Sequence, residues 1–215
     1  MGYHAVVLRY SVAPARYPAA LRQLAKTVAL LRENSEKWHI ETDKIIISGF
    51  SAGGHLAASL GVFWNTPELK EITGFDNEMI RPDGMILNYP VITSGEFGHQ
   101  ESFRNLLGEK YEELKDKMSL EYQVTEDTPK TFIWHTFEDE TVLLDNTLRF
   151  VQALYKRGIP VEYHIFPQGS HGLGLASELT ANENGCGIVR ACEPWSELAG
   201  KWLNREFPWW GGATV

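Results

Sequence analysis

Gly49-Phe50-Ser51-Ala52-Gly53 is a G-x-S-x-G pentapeptide, a spacing that suits a serine held on a sharp turn with its hydroxyl exposed. The pattern alone is a weak signal, so its flanks decide its meaning. Ile45-Ile46-Ile47 before it reads as a buried strand, and Ala52-Gly53-Gly54-His55-Leu56-Ala57-Ala58 after it as a small-residue helix. A serine so placed can attack an acyl carbonyl. The amide N–H of Ala52, at the start of the helix, can stabilise the oxyanion that develops. Gly49 and Gly53 are both expected to be required, because a Cβ at either would collide across the turn.

A serine hydroxyl needs a base. Of the seven histidines, His171 in Gly169-Ser170-His171-Gly172 follows the strand-like run 161–166 and is predicted at the same sheet edge. His164 lies inside that run. His55 sits in the helix behind the turn, where packing or a hydrogen bond is expected of it. His4, His39 and His99 have no matching context. A carboxylate must then orient the imidazole and offset its charge. Asp139, in Glu138-Asp139-Glu140 after the run Thr131–His135, is the candidate. Its neighbours Glu138 and Glu140 read as solvated loop charges, and Asp145 as part of the next helix.

Bringing three loops to one edge takes a particular scaffold. Apolar β-branched runs predict strands at Ala5–Tyr10, Lys44–Ser48, Met85–Tyr89 and Thr131–His135. Val161–Phe166 alternates like a more exposed edge strand. Between them fall helical patterns: Ala19–Arg32, with Leu21, Leu24, Val28 and Leu31 on one face, then Ala52–Leu60, Val142–Lys156 with Gly158 as its stop, and Glu193–Arg205. This order predicts a doubly wound, mostly parallel α/β sheet with right-handed crossovers. Residues 1–215 read as one domain. The long connection 91–129 is expected to carry its own helices over the C-terminal edge of the sheet.

Composition narrows the partners. With 20 basic against 28 acidic residues the chain carries a formal charge of −8, and it has no Lys/Arg-rich run, which argues against nucleic acid. No apolar stretch reaches the roughly 18 to 20 residues of a spanning helix. Met1–Leu8 lacks a basic leader and a cleavage site, so a cytoplasmic location is expected. Cys186 and Cys192 match neither a zinc pair nor C-x-x-C and read as reduced thiols, with a disulfide clasping this late loop as the alternative. No metal-ligand or nucleotide motif occurs, so no cofactor is expected. Trp64, Phe97, Phe103, Tyr111 and Tyr122 are candidates to line an acyl or sugar site, although large aromatics are more often core. Trp209-Trp210 reads as a packing or contact patch.

Four segments together resemble α/β-hydrolase esterases of the acetyl-xylan-esterase and hormone-sensitive-lipase-like kind. Tyr3-His4-Ala5-Val6-Val7-Leu8-Arg9-Tyr10-Ser11-Val12-Ala13-Pro14 resembles their strand and loop before a covering helix, and Gly49–Leu56 their nucleophile elbow. His135-Thr136-Phe137-Glu138-Asp139-Glu140-Thr141-Val142 resembles their acid loop, with Thr136 where Gly is common. Gly169–Gly172 resembles their histidine loop. The order Ser, Asp, His is theirs as well. The resemblance implies hydrolysis of small acyl esters, such as acetyl esters on plant polysaccharide, by Ser51, Asp139 and His171.

That family also carries earlier strands and an H-G-G-G-type loop, which this sequence does not contain. The expectation is therefore a domain incomplete at its N-terminus, with Ala52 N–H as the remaining oxyanion donor and an open sheet edge that favours homo-oligomers. Two rivals follow: a hydrolase-fold remnant acting as a binding or assembly module, and a prolyl-oligopeptidase-like peptidase.

Overall fold

The structure is a computed structural model that describes residues 2–208. Trp209-Trp210 lie outside them. The helices are α1 (Ala19–Glu33), α2 (Ser35–Trp38), α3 (Ala52–Phe63), α4 (Pro67–Thr73), α5 (Asn77–Ile80), α6 (Gln100–Leu107), α7 (Tyr111–Leu114), α8 (Asp145–Lys156) and α9 (Trp195–Glu206). The strands are β1 (Ile46–Phe50), β2 (Gly84–Asn88), β3 (Thr131–Thr136) and β4 (Val161–Phe166). They form one parallel sheet in the order β1-β2-β3-β4.

Parallel strands joined by helical crossovers bury both sheet faces, which is why β2 and β3 are buried at every position. Met85, Leu87 and Ile133 point to the face covered by α1, α3 and α8, where Leu21, Leu60 and Phe150 complete the core. Ile86, Phe132 and Trp134 point the other way, onto Trp195, Trp202 and Leu203 of α9. Helices thus cover both faces, as a doubly wound sheet requires. β4 lies at the edge and pairs with β3 alone. All four strands end at the same edge of the sheet, where the loops after β1, β3 and β4 meet.

Several boundaries differ from expectation. Ala5–Tyr10 is not a strand: Val6 and Val7 are 58% and 89% exposed, and β1 pairs with β2 without taking up this segment. A β-branched run supplies propensity, but a strand also needs a ladder partner. The predicted strand Lys44–Ser48 runs two residues later, because Phe50 still pairs with Asn88. α8 starts at Asp145 instead of Val142, since the Asp139 carboxylate accepts the N–H groups of Thr141 and Val142 and holds them in a turn. α9 starts at Trp195, directly after Pro194. The positive φ of Gly158, +73°, follows the end of α8.

Within residues 91–129, the N–H of Leu120 donates to Ile92 O at 3.1 Å, and Ser94 and Ser119 pair through their hydroxyls at 2.7 Å. Cys186 is exposed and Cys192 buried, both as free thiols, and burial pushes the Cys192 thiol up to about 11. No helix among the described residues is long and apolar enough to cross a membrane.

Candidate active site

Ser51 stands between β1 and α3 with φ 53° and ψ −118°, a backbone conformation that costs a non-glycine residue energy. Three hydrogen bonds hold it there. Its N–H donates to Asn88 O at 3.0 Å, and its carbonyl accepts from His55 N at 3.2 Å and Val91 N at 3.1 Å. The tight turn explains Gly49, whose added Cβ would lie 2.0 Å from Gly53 O. Gly53 does not share this constraint: a Cβ there meets only the Tyr10 hydroxyl, at 3.6 Å. Gly54 is the second position without room, because its Cβ would fall 2.7 Å from Pro90 Cβ.

The loops after β3 and β4 bring Asp139 and His171 to this serine. His171 Nε2 lies 2.7 Å from Ser51 Oγ, and His171 Nδ1 lies 2.6 Å from Asp139 Oδ2. The carboxylate only accepts, so Nδ1 carries the proton and Nε2 can accept the serine hydroxyl. Asp139 is 3% exposed. Burial alone would raise its pKa, but hydrogen bonds from His135, His171 and the Val142 amide outweigh that and hold the carboxyl well below the usual range. Ala52 is the first residue of α3, where an N–H has no intrahelical acceptor. It borders a largely apolar cavity of about 390 Å³ that also touches Tyr10, Tyr17, Leu56, Phe103 and Met118. Of the five aromatics considered for a lining role, Phe103 alone borders this cavity. Trp64 is packed in the core and Tyr122 is 70% exposed.

His55 and His164 have other partners. His55 is buried, with Nε2 3.0 Å from Met118 O, and His164 pairs with Glu162 on the edge strand. Glu138 is exposed but not simply solvated: it accepts from Gly169 N at 3.0 Å, tying the acid loop to the histidine loop. His135, read from sequence as a strand end and the head of the segment resembling the acid loop but given no role, is fully buried and lies 3.2 Å from Asp139 Oδ2. The signal for it was available, because a histidine ending a Phe-Ile-Trp strand must find partners when buried.

A family model described as BD-FAE matches residues 1–154. The chain is 39% identical over 187 residues to endo-1,4-beta-xylanase B of Butyrivibrio fibrisolvens, covering 82% of this chain and 28% of that protein. It is 29% identical over 156 residues to an acetylxylan esterase of Xylanibacter ruminicola, covering 69% of this chain and 30% of that one. The chain thus spans less than a third of either curated relative. Among solved structures, the acetyl ester-xyloside bifunctional hydrolase of Caldicellulosiruptor lactoaceticus superimposes with a TM-score of 0.80 at 39% identity, covering 93% of this chain and 70% of that one. The sheet is that of an α/β-hydrolase. From the matched model and this close structural relative, the chain belongs to the BD-FAE family.

Proposed function

We propose that this chain is a serine carboxylic-ester hydrolase that removes short acyl groups, acetyl foremost, from carbohydrate esters. The observation that carries the reading is the pair of contacts made by one imidazole, 2.7 Å to Ser51 Oγ and 2.6 Å to Asp139 Oδ2. His171 Nε2 takes the Ser51 proton as Oγ attacks the acyl carbonyl carbon, and the oxyanion forms against Ala52 N–H. The imidazolium then protonates the leaving alcohol oxygen as its bond to the acyl carbon breaks. Water, deprotonated by the same Nε2, attacks the acyl-Ser51 ester. Collapse returns the proton to Ser51 Oγ and releases the acid. Asp139 remains ionised throughout and holds the imidazole in register.

The names of the relatives agree with an ester substrate on a sugar polymer: one is an acetylxylan esterase and another an acetyl ester-xyloside hydrolase. Glycosidic cleavage, suggested by the xylanase name, fits less well. It needs two carboxyl groups flanking the bond, and here the one carboxylate at the serine is already occupied by His171, His135 and two amides. The test is p-nitrophenyl acetate hydrolysis with Ser51→Ala as control. Loss of about 10⁶-fold in kcat is expected for a missing serine nucleophile. Equal rates in the two proteins would sink the reading and favour a binding module. Turnover of aminoacyl anilides in place of short esters would favour a peptidase.

A further inference from the structure

His171 sits in a loop with little backbone hydrogen bonding of its own. Gly169, Gly172 and Gly174 all have positive φ there, so the main chain is intrinsically free to rearrange. Side chains from other elements hold it. Two residues before His171, the Gly169 N–H donates to Glu138. Three residues after it, the backbone of Gly174 is held through both its N–H and its carbonyl. Its N–H donates to the Tyr89 hydroxyl at 2.9 Å, and its carbonyl accepts from the Trp195 indole N–H at 3.0 Å.

Tyr89 is unusual in its own right. It follows β2 with φ 36°, rare for a residue bearing a side chain, and it is 4% exposed. Its N–H still donates to Trp134 O at 2.8 Å. Its ring stands edge-on to the His171 imidazole, with centroids 5.0 Å apart at 72°. Trp195 in turn stacks on Trp134 at 5.1 Å. Asn88, the residue before Tyr89, accepts the Ser51 N–H and donates to Gly49 O at 2.9 Å. Two consecutive residues at the end of β2 therefore fasten the serine turn and the histidine loop respectively.

The geometry points to Tyr89 as a positioning residue that, with Trp195, braces the backbone at Gly174 and so sets His171 between Ser51 and Asp139. Neither side chain touches the reacting atoms. Their effect is transmitted through the loop and through the aromatic edge on the imidazole, and it bears on catalysis only if the proposed function is right.

Tyr89→Phe keeps the ring and removes the hydroxyl, and Trp195→Phe removes the indole donor. The direct readout is the low-field proton NMR signal of the His171–Asp139 hydrogen bond, assigned by its disappearance in His171→Asn. In either variant this proton should exchange with solvent at least about fivefold faster than in the wild type, with the melting temperature of Tyr89→Phe within a few degrees, as expected for one lost hydrogen bond. Hydrolysis of p-nitrophenyl acetate should show kcat down about five- to tenfold at unchanged KM. An unchanged exchange rate in folded Tyr89→Phe overturns the brace, whatever the turnover. Should that variant not fold, an unchanged rate in Trp195→Phe does the same. A wild type without esterase activity would overturn the proposed function instead, and the proton exchange would still decide the brace.

Discussion

His135 and His171 reach the same oxygen, Asp139 Oδ2, at 3.2 and 2.6 Å. His135 Nε2 also lies 2.8 Å from Val142 O, and its Nδ1 lies 2.8 Å from Thr147 Oγ1. A carbonyl and a carboxylate both only accept, so Nε2 carries a proton, and Nδ1 accepts from the Thr147 hydroxyl. The carboxylate is thus held from behind by one imidazole while it orients the other. His135→Phe would leave Val142 O and the Thr147 hydroxyl unpartnered in a closed site. We expect it to cost about 2–4 kcal/mol in urea unfolding and to lower kcat by about tenfold or more. His135→Gln, which retains a donor, should lose less of both. A smaller loss in His135→Phe than in His135→Gln would show that the ring's volume matters and its hydrogen bonds do not.

Asp139 links this network to pH. Its folded pKa is depressed, so the folded chain gives up the proton more readily than the unfolded one. The stability it contributes is fully present above the unfolded value of about 4 and is lost as pH falls below it toward the folded value. Asp139→Asn should therefore be less stable than wild type at pH 7, by a margin that shrinks on acidification below about pH 4. Urea unfolding of both proteins across that range tests this. A constant margin would mean that the ionised form is not the one held. In the esterase assay the same variant should lose about 10⁴-fold in kcat, because an amide favours the wrong imidazole tautomer.

Much of this site could be read from the chain because parallel strands deliver all their C-terminal ends to one edge. Ser51, Asp139 and His171 each follow a strand, and knowing the strands predicted that their loops would meet. What escaped the reading depends on partners that sequence order does not reveal. His135 finds Thr147 and Val142 only after the Asp139 turn has formed, and Tyr89 meets Gly174 across 85 residues. Ala5–Tyr10 has the composition of a strand, yet β1 takes up β2 and not this run. Glu138 has the composition of a solvated charge, yet a backbone N–H from another loop finds it.

The glycines of the serine turn separate motif from mechanism. The spacing G-x-S-x-G suggests equal roles for Gly49 and Gly53, but only Gly49 lacks room for a methyl group, which would lie 2.0 Å from backbone. Gly49→Ala must displace the turn and should reduce soluble, active protein severely. Gly53→Ala meets only the Tyr10 hydroxyl at 3.6 Å, and it exchanges glycine for a better helix former near the start of α3. It should fold normally and keep kcat within about threefold, less than 1 kcal/mol of barrier. Gly54→Ala, against Pro90, should resemble Gly49→Ala. Thermal melts and p-nitrophenyl acetate rates of the three variants give the ranking directly, and a Gly53→Ala as damaging as the other two would refute it.

His55 supplies a pH response separate from the Ser51–His171–Asp139 contacts. It lies on the first turn of α3, donates its backbone N–H to Ser51 O, and packs edge-on against Phe103 with centroids 5.2 Å apart. Burial lowers its pKa to about 4, against the opposing hydrogen bond to Met118 O. A histidine depressed on folding contributes stability that is fully present above the unfolded value of about 6.5 and lost as pH falls through the folded value. The span corresponds to a loss of about 3 kcal/mol between pH 6.5 and 4. His55→Gln keeps a donor toward Met118 O but does not titrate. Its unfolding free energy should fall less steeply than the wild type's between pH 6.5 and 5, a window in which most carboxylates have not yet protonated. Parallel curves for the two proteins would mean that the folded chain protonates His55 as readily as the unfolded one, and would refute its depressed pKa.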